Sequence, residues 1–283
     1  MKSRYSVLDK LNLFLGIYGR LFGGIFRFSW WSPFFIIAIF QTAGLACLVW
    51  YYAPVLVNII YPALSRFLPS NAFHYPQYYL FLPSVYSGIE NFVIGPVIWV
   101  ILLGTAVYRL GGAFEGKKVA LGESIRISIG RFGPLFVVWL IETALVLLIL
   151  FLPSLLFGAS LEDSPKRAMA VTLVAQMIGF VISAMLIYAI PGIVIGKKRL
   201  SVAISGGVTL FAGNFFLTYF IILVPSIIRL ALNLLVSDFA PRIINMLNPD
   251  LIPLLILLQI VLGIFINLFI YGAAVFVYKR MSE

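Results

Sequence analysis

The sequence predicts an all-α fold: a polytopic transmembrane bundle of six helices, arranged as three parallel-repeated hairpins with cytoplasmic interfacial helices. Three observations predict it. Of the 283 residues, 62% are apolar and 11% charged, with mean hydropathy +1.08, more apolar than a water-facing surface permits. Uncharged runs such as 168–196 and 251–278 exceed the roughly 20 residues that cross a hydrocarbon layer. A Gly-Lys-Lys motif also recurs at a fixed spacing. Backbone in lipid must hydrogen-bond to itself, so such runs become helices, and the short alternating strands of a barrel are not seen.

Apolar runs between charges place spans at 33–57, 92–108, 134–156, 171–195, 215–235 and 251–277. Six spans put both ends of the chain on one side. Lys2, Arg4, Lys10, Arg20, Arg27, Arg109, Lys117, Lys118, Arg126, Arg131, Lys197, Lys198, Arg199, Lys279 and Arg280 fall on that side, against Arg66, Lys166, Arg167, Arg229 and Arg242 on the other. Fifteen against five predicts cytoplasmic termini in a multi-pass cytoplasmic membrane protein. The N-terminal basic run, with Asp9 in it, is followed by no small-residue cleavage site, which argues against a removable signal. The net charge of +10 is read as topology and as attraction to anionic lipid, not as nucleic-acid binding.

Gly116-Lys117-Lys118 returns as Gly196-Lys197-Lys198, 80 residues on, and Gly133-Pro134-Leu135-Phe136 then falls on Gly213-Asn214-Phe215-Phe216. Val107-Tyr108, Ile187-Tyr188 and Ile270-Tyr271 each precede a Lys by a similar interval. At the start of the chain, Arg27-Phe28 and Ser32-Pro33-Phe34-Phe35 resemble 131–136, and Gln41-Thr42-Ala43 falls where Glu142-Thr143-Ala144 stands, with Ile222 third. The expected organisation is one membrane domain, 1–283, built of repeats near 7–118, 119–198 and 199–280. All copies enter in the same direction, which suits a closed bundle better than the inverted repeats of alternating-access transporters.

Before each odd span lies an amphipathic segment, at 7–28, 119–131 and 199–213, the last interrupted by Gly206-Gly207. Leu121, Ile125, Ile129 and Phe132 lie on one face of the second. The first places Leu11, Phe14, Leu15, Tyr18, Leu21, Phe22 and Phe26 beside Lys10, Arg20 and Arg27. Such helices either sense headgroups, through Lys117, Lys118, Arg126, Arg131, Lys197, Lys198 and Arg199, or act only as elbows that set helix entry. The Gly16, Gly19, Gly23 and Gly24 series lacks the strand and Lys-Ser/Thr of a phosphate loop and is assigned to close packing. The outer segment 59–91, rich in aromatics including Phe67, is expected to form an interfacial lid.

Glu142 is the one acidic residue inside an expected span. A carboxylate there costs several kcal/mol unless protonated or paired, so it should face the bundle interior or a wet cavity. With Gln41, Gln176, Gln259 and Asn267, and with Thr143 and Arg229 as further candidates, it defines an intramembrane polar centre. That centre is either functional, linked to a proton or substrate, or a hydrogen-bond network fixing helix register. Pro96, Pro191 and Pro225 are candidate bends around it. Cys47 alone forms no internal disulfide, and His74 has no evident companion, so neither a metal nor another cofactor is expected.

The Gly-Lys-Lys pairs, the short basic linker helix and the Arg131-Phe132-Gly133-Pro134 entry resemble a family of poorly characterised prokaryotic six-helix membrane proteins, similar to the membrane domain of some glycerophosphodiester phosphodiesterases. That resemblance implies a cytoplasmic-membrane location and lipid-related work, and carries over no catalytic residue. The residues themselves hold no nucleophile elbow, zinc pattern or phosphate loop. A non-catalytic protein that binds or organises lipid or a partner membrane protein is the expected function. A transporter or permease subunit centred on Glu142 is the alternative.

Overall fold

The computed structural model describes residues 7–66, 68–162, 164–237 and 240–282. Lys2, Arg4 and Phe67 lie outside the described residues, as do the side chains of Asp9, Lys10 and Leu11. The described residues form an all-α polytopic bundle in which six helices are long and apolar enough to cross a membrane.

The elements run α1 (Val7–Ile25), α2 (Phe28–Val49), α3 (Pro54–Leu64), a 3-10 turn (Ser70–Phe73), α4 (Tyr78–Ile89), a π-helical stretch (Glu90–Trp99) and α5 (Val100–Phe114). There follow α6 (Leu121–Gly130), α7 (Phe132–Glu162), α8 (Pro165–Leu186), α9 (Ala189–Val194), α10 (Leu200–Gly213), α11 (Phe215–Ser237), α12 (Ala240–Met246) and α13 (Leu251–Ser282). A short helix followed by two spans therefore occurs three times: α1 before α2 and α4–α5, α6 before α7 and α8–α9, α10 before α11 and α13.

The first two spans differ from the expected bounds. Position 57 was expected inside the first, but α2 stops at Val49, because Ala53, preceding Pro54, is held extended (φ −62, ψ 141) and Pro54 opens a new helix at its first turn. The second span begins not at Phe92 but at Tyr78, and α4, the π stretch and α5 continue one another to Phe114. The segment expected as a lid therefore contributes the latter part of α3, the 3-10 turn and the opening turns of a spanning helix. Pro96 lies within the π stretch, where the ring removes one backbone donor and the wider turn accommodates it. Pro191 likewise lacks the N–H that would reach Ile187, and the chain turns at Ile187-Tyr188 between α8 and α9. Pro225 is absorbed in a continuous α11.

The packing closes on itself. Each odd span lies along its own even partner, α2 on α5, α7 on α8 and α11 on α13. Each also touches the even span that precedes it around the bundle: α7 meets α5, α11 meets α8 and α2 meets α13. The short helices follow the same rule, with α6 on α5, α10 on α8 and α9, and α1 on α13. The even spans meet one another in the middle, where Ala106, Val107, Leu110, Ala184, Ile193, Ala273 and Val275 are fully buried.

Small residues permit this closeness. A Cβ on Gly207 of α10 would stand 3.1 Å from the backbone nitrogen of Ala189, so Gly207 brings two helices together, while Gly206 faces open space, and α10 runs unbroken through both. A Cβ on Gly272 would press into Leu21, and one on Gly104 would stand 2.9 Å from Ser128 Oγ. In the N-terminal glycine series Gly24 is packed, against Trp30, while Gly16, Gly19 and Gly23 have open space where a Cβ would be. Side-chain bonds stitch the same seams: Tyr18 donates to the Ile221 carbonyl at 3.1 Å, and the hydroxyls of Tyr188 and Thr218 lie 2.8 Å apart.

Candidate functional site in the bundle interior

Among the described residues, two clusters of polar side chains from the spans contain carboxylates. In the first, Gln41 Nε2 of α2 donates to Glu90 Oε1 at 2.7 Å, and Arg229 Nη2 of α11 donates to the same oxygen at 3.2 Å. Glu90 opens the π stretch, and its side chain is 22% exposed, that of Arg229 47%. One turn earlier in α4, Tyr86 is buried, its hydroxyl without a hydrogen-bond partner yet within electrostatic range of both Glu90 and Arg229. Gln41 lies eight residues from the end of α2, about 12 Å of helix rise. The cluster is therefore well inside the span and nearer the end of α2 than its start.

The second cluster is built on Glu142 of α7, which accepts a hydrogen bond from Ser183 of α8. Glu142 borders a cavity of about 20 Å³ whose other walls are Trp99, Val100, Leu103, Leu135, Trp139 and Ile190. That volume is room for about one water molecule. The Tyr271 phenol of α13 is within electrostatic range of Glu142 and of Arg229, and its ring lies 6.3 Å from Phe34 and 6.4 Å from Trp99.

The five residues of the expected polar centre thus have several distinct settings. Glu142 bonds to Ser183 and Gln41 to Glu90. Gln259 donates to Asn233 at 3.1 Å, the Gln176 carbonyl oxygen is buried without a donor, and Asn267 is buried in α13. Glu90 corrects the reading that Glu142 is the one acidic residue inside a span. It fell outside the expected span because a charge served as the boundary. Its place one turn after Tyr86 in an otherwise uncharged segment was the available signal.

The headgroup candidates lie at the ends of α5, α6, α9 and α10, apart from Arg126 in the middle of α6. Gly116 (φ 74) and Lys197 (φ 51) take the left-handed conformation, one residue out of step between the two Gly-Lys-Lys copies. After α5 the amide of Lys117 reaches the Gly112 carbonyl at 2.9 Å and that of Gly116 reaches Ala113 at 3.1 Å, which closes the helix end. Lys117 Nζ pairs with Glu115 at 2.7 Å. Lys198 Nζ stands 5.7 Å from the centroid of the Tyr278 ring, and Arg131 caps α6 half-buried. Lys118, Arg126, Lys197 and Arg199 are exposed.

One junction was not foreseen. Lys279, near the end of α13, donates to the Gly111 carbonyl at 2.6 Å and to Glu115, tying the last span to the end of the second. Glu115 is thereby held at a pKa of about 2, from an ordinary 4.5, by the hydrogen bond from Lys117 first and then by Lys279. Lys117 is raised in turn by Glu115.

Comparison with family models, with curated proteins and with solved structures finds no match to this chain.

Proposed function

We propose that this chain is a non-catalytic integral membrane protein that binds or organises lipid, with anionic headgroups as the favoured ligand, or a partner membrane protein. On this reading it resides in the cytoplasmic membrane with its termini on the cytoplasmic side, and its three-part element order reflects a threefold internal repeat. The resemblance to the membrane domain of glycerophosphodiester phosphodiesterases belongs to the same proposal.

The observation that carries it is the composition of the short helices' open surface. Leu15, Phe22 and Phe26 of the first segment, Ile129 of α6 and Val202 of α10 are exposed, beside the exposed bases Arg20, Arg27, Arg126 and Arg199. Apolar side chains and cations side by side suit the headgroup layer, where the first enter the acyl boundary and the second meet phosphate. Among the described residues no ion pair engages Lys118, Arg126, Lys197 or Arg199. Native mass spectrometry of the gently solubilised protein tests the reading. Anionic lipid should be retained, and lost when those four residues become Ala; retention unchanged in that variant removes the headgroup proposal.

A second reading, a transporter or permease subunit, is favoured by the polar side chains that α2, α4, the π stretch, α7, α8, α11 and α13 direct into the bundle. Its test is flux in proteoliposomes, which Glu142→Gln should abolish while the variant still accumulates and elutes as a single species.

A further inference from the structure

Two carboxylates and one guanidinium, those of Glu90, Glu142 and Arg229, share the field around Tyr271 and Tyr86. Arg229 is already engaged by Glu90. Among the described residues no Lys or Arg forms an ion pair with Glu142. With all three ionised, these groups together carry one negative charge in excess. An uncompensated charge inside a membrane bundle is expensive, so the site calls for a compensating cation.

The surroundings select which cation. Beside Glu142 the cavity of about 20 Å³ is walled by aliphatic and aromatic side chains, and Ser183 adds one hydroxyl. A hard metal ion takes roughly six oxygen ligands or more, which two side chains and about one water do not supply. A proton needs one carboxylate oxygen and a water to arrive on.

Among the described residues, the elements packed against α7 bring no unengaged base to the site. Glu90 is bound to Gln41 and Arg229. On α5, Arg109 donates to Ser32 Oγ at 2.5 Å, and Tyr108 is its neighbour toward the end of that helix. Lys166 and Arg167 are in the opening turn of α8, four turns from Ser183, and Tyr188 is committed to Thr218. Tyr271 is within electrostatic range of Glu142.

We propose that Glu142 is a reversible proton-binding site within the bundle, and that Tyr271 couples its occupancy to the Glu90–Arg229 ion pair. Uptake forms one O–H bond on the Glu142 carboxylate at the expense of a hydronium ion, which leaves as water; release is the reverse. The inference deepens the transport reading by naming the proton as its ion, and the site itself stands or falls separately from flux.

Infrared titration of the purified protein, with hydrogen ions as the ligand, tests it. The wild type should show a protonated-carboxyl band that appears and disappears with pH and is missing from Glu142→Gln. Glu142→Asp keeps a carboxyl and should move the band, which keeps the assignment testable if the Gln variant accumulates poorly. Tyr271→Phe and Arg229→Gln should each shift the band's midpoint. Spectra of the wild type and Glu142→Gln that superimpose at every pH overturn the site, and midpoints unchanged in Tyr271→Phe and Arg229→Gln overturn the coupling. A titrating band with no proton flux in dye-loaded vesicles sinks transport and leaves the site in place.

Discussion

Arg229 Nη2 lies 3.2 Å from Glu90 Oε1, an ion pair between residues 139 positions apart that joins α11 to the π stretch of the second span. Gln41 completes the acceptor's bonds from α2. Removing one partner leaves a charge without its counterion in a poor solvent, whereas neutralising both does not. Arg229 is 47% exposed, so the effect should be smaller than for a fully buried pair, about 1–2 kcal/mol. Arg229→Gln and Glu90→Gln should each lower the thermal transition of the solubilised protein, and the double variant should lose less than their sum. Strict additivity would show that the pair contributes no coupling.

The Lys279–Glu115 contact should give stability a definite acid limb. Glu115 is held at about 2 from 4.5, chiefly by Lys117 and then by Lys279. A depressed carboxylate contributes stability that is complete above its unfolded value and is lost as pH falls through the folded one. The window is thus from 4.5 down to about 2. The side chain is 44% exposed, so solvent screening keeps the contribution small. Wild type and Glu115→Gln, compared by thermal unfolding across this range, should differ at neutral pH and converge toward its acid end. A difference that persists unchanged at the acid end would mean that Glu115 acts by shape and not by charge.

The spans from 134, 171, 215 and 251 onward were legible because long uncharged runs have one solution in lipid. The second was misplaced because Glu90 looked like a boundary, although a carboxylate that meets Gln41 and Arg229 is no boundary at all. The end of the first was hidden because apolar sequence continues past Val49, and only the extended Ala53 before Pro54 marks the break. Glu142 was visible as a lone acid in an apolar run. Ser183, its partner, was not, since a serine in a helix carries no sign of what stands opposite it. Lys279 counted as one more basic residue near a helix end, and nothing local tells that it reaches the Gly111 carbonyl.

Two glycines separate packing from propensity. A Cβ at Gly207 would stand 3.1 Å from the Ala189 backbone nitrogen, and backbone in a packed seam cannot yield as a flexible side-chain end does. Gly207→Ala should therefore push α10 from α9, costing about 1–3 kcal/mol. Gly263, inside α13, has nothing within 4 Å of the same position. Gly263→Ala gains helix propensity without a clash and should be neutral or stabilising by up to about 1 kcal/mol. Thermal unfolding of the two variants side by side checks the contrast, and equal effects would show that the α9–α10 approach is not tight.

The exposed cations give the lipid proposal a quantitative and salt-dependent form. Each Lys or Arg near an anionic surface contributes about 1 kcal/mol, which is screened within a Debye length. Replacing Lys118, Arg126, Lys197 and Arg199 with Ala removes four such charges, so preference for anionic over neutral lipid should fall by up to about 4 kcal/mol, on the order of a thousandfold. Competition between anionic and zwitterionic lipids for the solubilised protein reads this ratio directly. Raising salt should weaken the wild type's preference strongly and the variant's, which keeps Arg20 and Arg27, less. A wild-type preference indifferent to salt would mean that Phe22, Phe26 and Ile129, and not the charges, hold the lipid.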